Sequence, residues 1–112
     1  MTPIDLAALQ SPLDYLILRT LSWGAMHGFG VARWLEDTTD AALVVEEGTL
    51  YPALHRLERR KLIRGEWRRT ENNRRAKYYQ LTAAGARALR AQSAEWGELV
   101  RVLGKVARAA EA

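Results

Sequence analysis

The sequence predicts a mainly α-helical fold carrying one small β-hairpin. Three observations predict it. Apolar residues recur at helical spacing in successive stretches up to Leu57. Across residues 63–81 the pattern changes to a period of two, around the polar tip Thr70-Glu71-Asn72-Asn73-Arg74. Towards the C-terminus, Leu89, Ser93, Trp96, Val100, Leu103 and Ala107 repeat at alternating intervals of four and three, the spacing of a coiled-coil seam.

Each element has its own signals. Residues 1–10 form an arm or short helix, with Thr2 as cap and Pro3 in the first helical position. A stronger start follows. Ser11 caps, Pro12 suits the first turn, and Asp14 lies where a carboxylate favours the positive end of the helix dipole. Leu13, Leu16, Ile17 and Leu21 give this helix an apolar face, and Gly24 closes it near Trp23. A tight turn over residues 25–28 leads to a second helix, from Phe29 to Thr38, with Val31, Trp34 and Leu35 inward and His27 as cap. Trp23 and Trp34 are read as core. Gly28-Phe29-Gly30 lacks a preceding strand and a third glycine, so close helix packing is preferred to a phosphate loop.

A third helix runs from Glu46 or Glu47 to Lys61, with Leu50, Leu54 and Leu57 as its buried stripe. Pro52 would be unstrained if Thr49 were the cap. The earlier start is preferred, with a local kink accepted. Thr49, Tyr51, His55, Arg56, Arg59 and Arg60 fall largely on the other faces. Ile63, Gly65 and Trp67 alternate with charged residues on the first strand, and Ala76, Tyr78 and Gln80 with Lys77, Tyr79 and Leu81 on the second. Thr82 caps a last helix reaching to Ala109, on the order of 40 Å at 1.5 Å per residue. Such a helix exceeds what a small core needs, so a second subunit is its expected partner. The expected organisation is thus an arm (1–10), a main domain (11–81) and a dimerisation helix (82–112).

Composition narrows the function. A chain of 112 residues that is 48% hydrophobic and 27% charged is an ordinary globular domain. No apolar run approaches the length of a membrane span, and Met1-Thr2-Pro3-Ile4-Asp5 does not open like a signal peptide. With no cysteine and only His27 and His55, neither a thiolate centre nor a histidine metal site can be assembled. No catalytic set is present either. The expectation is a cytoplasmic protein that is not an enzyme and uses no cofactor or metal. Net charge is +4, but the stretch from His55 to Tyr78 holds ten basic residues against three acidic ones, a net of +7. That is the footprint of a polyanion partner.

Helix, helix, helix, basic hairpin and long helix is the plan of a winged helix-turn-helix. There the third helix enters the major groove and the hairpin reaches adjacent backbone. His55 and Arg56 on the third helix, and Arg74, Arg75 and Lys77 on the wing, are the candidate DNA contacts. An interaction module of the same shape that does not bind specific DNA is the alternative.

Four segments carry a resemblance: Leu16-Ile17-Leu18; His27-Gly28-Phe29-Gly30; Gly48 to Glu58, reading GTLYPALHRLE; and Arg75 to Gly85, reading RAKYYQLTAAG. In this order they resemble the PadR family of transcriptional regulators over residues 11–90, in its small form with a single C-terminal helix. The resemblance implies a homodimeric DNA-binding regulator, usually a repressor, reading an inverted repeat. It implies DNA contacts at Thr49 and Tyr51, which match the family's Thr-Leu-Tyr motif. The wing motif Lys-Tyr-Tyr falls on Lys77, Tyr78 and Tyr79, adding Tyr78 to the candidates. Glu46-Glu47 departs from the usual lead-in, and these carboxylates are expected to cap the helix or face away from DNA. Leu89, Trp96, Val100 and Leu103 are the expected dimer contacts. In some relatives an aromatic at the place of Trp96 lines a pore for flat hydrophobic compounds, so a small hydrophobic effector is a second role for that residue.

Overall fold

The computed structural model describes residue 4 and residues 11–111, with side chains as far as residue 109. Ile4 apart, the arm expected over residues 1–10 lies outside the described residues.

Helix α1 spans Pro12–Leu21. Its start is the expected one: the Ser11 hydroxyl accepts from the Leu13 N–H at 3.2 Å. It ends at Ser22, ahead of Gly24, whose φ of +144° suits a residue without Cβ. Trp23 falls in this turn, past the last turn of α1 that reaches the core, and is 69% exposed. The expectation of a core tryptophan there is therefore corrected, whereas Trp34 does pack partly buried against the core.

The tight turn expected at residues 25–28 contains a strand, β1 (Met26–His27), which the sequence reading did not anticipate. Helix α2 (Gly28–Thr38) begins on His27, whose Nδ1 accepts from the Gly30 N–H at 2.9 Å. Helix α3 covers Glu47–Arg59, the earlier of the two starts, and the Leu50 N–H bonds to the Glu46 carbonyl at 2.9 Å. Glu46 holds the cap position without a side-chain cap bond, so only its backbone serves there. Pro52 stands inside α3 on an exposed face. Lacking an N–H, it leaves the carbonyl of exposed Gly48 to water.

Strands β2 (Ile63–Arg69) and β3 (Arg75–Leu81) form the hairpin, and α4 (Ala83–Glu111) completes the chain. The sheet is antiparallel in the order β1-β3-β2, with Met26 opposite Tyr79, and Gly65 also opposite Tyr79 from the other side. One core joins all elements. Ile17, Leu18, Val31, Leu50, Leu54 and Leu57 are its innermost side chains, each stabilising the fold by roughly 1.5–3 kcal/mol of transfer free energy. Ile63 and Tyr79 close it from the sheet side, and Leu89 from α4.

Thr82 fastens α4 to the end of α3. Its hydroxyl donates to the Lys61 carbonyl at 2.7 Å and accepts from the Gly85 N–H at 3.0 Å. Its own N–H reaches the Leu62 carbonyl at 3.1 Å. Gly85 lies so close to that carbonyl that a Cβ would overlap its oxygen.

After α2 the chain passes Asp40 (φ +52°) and Ala41 (φ +64°) in left-handed conformation. Alanine there costs about 1–2 kcal/mol with no side-chain hydrogen bond in return. Glycine escapes that cost but loses about 0.4–1 kcal/mol through a freer unfolded chain. Ala41→Gly should therefore raise stability by about 0.5–1 kcal/mol in urea denaturation. A decrease would show that the left-handed turn is not strained.

Candidate nucleic-acid interface

Helix α3 turns two faces to different surroundings. Its apolar stripe is buried, while Thr49, Tyr51 and His55 are exposed. Tyr51 lies along the start of α2, and a Cβ on Gly28 would come within 2.8 Å of its Cε1. Close packing at Gly28 is thus explained by this ring, whereas Gly30 faces His27 and Met26. Tyr51 packs against the start of α2 and remains 44% exposed.

The wing begins where the hairpin outgrows the core. At its tip the Thr70 N–H bonds to the Arg74 carbonyl at 2.7 Å, and the Asn73 N–H to the Thr70 carbonyl at 2.9 Å. Asn73 adopts φ +60°, a conformation asparagine tolerates, and its Oδ1 accepts from Arg69 Nη1 at 2.9 Å. The arginines near the tip are held over aromatic rings. The Arg75 guanidinium lies 5.1 Å from the Trp67 ring centre and that of Arg68 5.4 Å from Tyr78. Tyr78 also meets the His27 ring edge-on at 5.2 Å.

Helix face and wing bound one concave surface of about 1070 Å³, lined by Tyr51, His55, Trp67, Arg74 and Arg75 among others. Thr49 is exposed one helical turn before Ala53 but outside this concavity's lining. Trp67, Arg68 and Arg69 were not singled out by the sequence. The available signal was their position on the hairpin beyond the pairing of Gly65 with Tyr79, where alternation no longer means burial.

Two of the candidate contacts, Arg56 and Lys77, hold carboxylates of the same chain. Arg56 reaches back to α1: its Nη2 donates to Asp14 Oδ1 at 2.5 Å and its Nε to Oδ2 at 3.4 Å. Asp14 is only 2% exposed, and Arg60 stands 4.0 Å from the same carboxylate. The hydrogen bond to Asp14 holds the Arg56 guanidinium above the usual arginine pKa. Arg56 is thus paired with a buried carboxylate while its side chain stays 42% exposed. Asp14 itself does more than complement the helix dipole. Lys77 Nζ donates to Glu58 Oε1 at 2.8 Å, and this bond raises its pKa above the ordinary lysine value. The nearby Tyr79 phenol is pushed up chiefly by burial. Arg59 makes no ion pair among the described residues, and Glu66 pairs with Arg68.

On α4 the seam divides. Leu89 is 6% exposed and belongs to the chain's own core, so it presents no surface to a second subunit. Trp96 is half-buried, its ring 6.3 Å from that of Tyr15 on α1. Its Nε1 is buried without a hydrogen-bond partner, as is Gln92 Oε1 one turn earlier. Val100, Leu103 and Val106 are 57–65% exposed. Among the described residues no acidic, histidine or cysteine cluster can hold a metal ion, and no helix is long and apolar enough to cross a membrane.

A basic wing beside a polar helix face defines a winged-helix DNA-binding protein. Comparison with known proteins gives the family. Residues 17–91 match the model of the transcriptional regulator PadR-like family. The chain is similar to the structure of a transcriptional regulator from Clostridium thermocellum, at 30% identity and a TM-score of 0.75 over 82% of this chain and 89% of that one. It is also similar to a PadR-like transcription factor from Bacteroides fragilis, at 32% identity and a TM-score of 0.69 over 84% and 88%. Bacillus subtilis PadR, solved in complex with operator DNA, shares the fold at 23% identity and a TM-score of 0.63 over 70% of this chain and 45% of that one. A Lysinibacillus sphaericus protein described as uncharacterized protein X is 25% identical over 95 residues, 85% of this chain and 87% of that one. The chain belongs to the PadR-like family of transcriptional regulators, a family of regulators and not of enzymes.

Proposed function

We propose that this protein is a cytoplasmic repressor that binds an inverted-repeat operator as a homodimer. The observation that carries the reading is the single concave surface shared by Tyr51, His55, Arg74 and Arg75. It brings hydrogen-bonding groups from the groove-facing helix and arginines from the wing to one side of the molecule. Thr49, on the exposed side of α3, extends the helix surface, and Tyr78 with Arg68 extends the wing. Lys77 and Arg56 are left out because carboxylates already hold them. The operator complex of Bacillus subtilis PadR is consistent with the same use of the fold.

Pairing through α4 is supported by the exposed row Val100, Leu103 and Val106, which no other described element covers. Trp96 adjoins this row with a buried, unbonded indole N–H. It is the proposed dimer anchor and the contact for a flat hydrophobic effector. A symmetric dimer would read half-sites about 34 Å apart, one turn of the duplex.

Fluorescence anisotropy tests the reading, with DNA from upstream of the protein's own gene against a scrambled duplex at about 150 mM salt. Preference for the native sequence by about 10³-fold or more, with two chains bound per duplex, is the expected result. Equal binding to both would make this a non-specific DNA binder or place the operator elsewhere. No binding to either would favour a protein-interaction module.

A further inference from the structure

We infer that Lys77, Glu58 and Gly65 form a strut that sets the angle between wing and α3, making Lys77 a positioning residue for DNA recognition and not a phosphate contact. The inference rests on the DNA-binding reading above and deepens it.

The geometry is built from three sides. Glu58 stands in the last turns of α3, and Lys77 in β3 opposite Trp67. Their 2.8 Å contact therefore ties the groove-facing helix directly to the wing. Both side chains are about one quarter exposed, 27% and 28%, so the pair is less screened than one on an open surface. Next, β2 opens a path for the contact. A Cβ on Gly65 would overlap Lys77 Cε and would stand 3.0 Å from Glu58 Oε2. Glycine in this strand position leaves the lysine's terminal methylenes room to cross to the helix, and a methyl there would push them off that path. Finally, the ammonium lies 5.5 Å from the Tyr79 ring centre, a second electron-rich partner on the same side.

An ammonium with a carboxylate and a ring already in place gains little by exchanging them for a phosphate. What DNA binding gains is geometry. Specific binding needs the helix and the wing in one fixed relation to groove and backbone, whereas non-specific binding tolerates many. Loosening the strut should therefore weaken cognate binding and spare non-specific binding. Loss of a phosphate contact would weaken both and lower the salt dependence.

The experiment is a salt titration by anisotropy on operator and scrambled DNA. The proteins are wild type, Lys77→Ala, Lys77→Glu, the double variant Glu58→Lys with Lys77→Glu, and Gly65→Ala, each first checked for folding by circular dichroism. For Lys77→Ala we expect an unchanged salt slope, unchanged affinity for scrambled DNA and about tenfold weaker operator binding, the scale of a coupled pair. The double variant should recover most of what Lys77→Glu loses, because the ion pair is re-formed in reverse. Gly65→Ala should copy Lys77→Ala although it changes no charge. A slope lowered by about one unit on both duplexes, with no recovery in the double variant, overturns the inference and returns Lys77 to the contact set. If wild type binds both duplexes equally, the specific-operator reading fails for this DNA and the affinity comparison does not bear on the strut. The strut is then decided by amide exchange: faster exchange across β2 and β3 in Lys77→Ala supports it, and equal exchange overturns it.

Discussion

Replacing Gly85 with alanine is expected to destabilise the protein by about 3 kcal/mol or more, at or beyond the upper end for an overpacked site. The added methyl would fall on the Leu62 carbonyl oxygen, a backbone atom that cannot swing aside as a side-chain end can. Relief requires moving the start of α4 away from the end of α3. That movement also breaks the Thr82 hydrogen bonds to the Lys61 and Leu62 carbonyls. Gly97→Ala is the matched control. It lies in the same helix with nothing within 4 Å of its Cβ position, and alanine should there add about 1 kcal/mol of stability through helix propensity. Urea unfolding of both variants checks the pair. If Gly85→Ala costs no more than about 1 kcal/mol, α4 is free to shift and its junction is not rigid.

Arg56→Ala is expected to cost about 2–3 kcal/mol, and Asp14→Asn only about 1 kcal/mol. The asymmetry comes from burial. Removing the arginine leaves a carboxylate that is 2% exposed without its bidentate partner, and Arg60 at 4.0 Å compensates only in part. Removing the carboxylate charge leaves a guanidinium that is 42% exposed and can turn to water. That same exposure places the estimate for Arg56→Ala below the usual cost of breaking a fully buried pair. Denaturant midpoints of the two variants decide this, and equal losses would contradict the burial argument. The salt slope for operator DNA should be unchanged in Arg56→Ala, since the guanidinium serves the fold. A slope lowered by about one unit would return Arg56 to the DNA surface.

The chain was most legible where structure is local. Ser11, His27 and Thr82 are caps whose partners lie two or three residues away, and each forms its expected bond. The Leu50, Leu54 and Leu57 stripe is buried because a helix repeats its faces whatever packs on them. What escaped notice depends on distant partners. Two residues, Met26 and His27, have no strand pattern of their own; they are extended because β3 offers them an edge. Arg56 meets Asp14 across 42 positions and Lys77 meets Glu58 across 19, separations that carry no periodic signal. For that reason a count of basic residues overstated the cations free for DNA. Leu89 fits the seam spacing because the inner and outer parts of α4 share one helical period, and spacing alone does not tell a neighbour in the same chain from one in another.

That division of α4 makes the helix a protractor as well as a spacer. Its first turns are fixed to the winged body at Gly85, Leu89 and Gln92, while the row Val100, Leu103 and Val106 stands clear of it. Between them lies uninterrupted helix, so the direction of the outer row is tied to the body by residue count. One residue inserted near Gly97 would turn the row by about 100° about the helix axis. Seven would restore its heading to within about 20° while carrying it about 10 Å outward. In the proposed dimer, the length of this segment is thus under two separate constraints. Radial distance between the two reading helices changes smoothly with length, but their relative heading returns only with whole heptads.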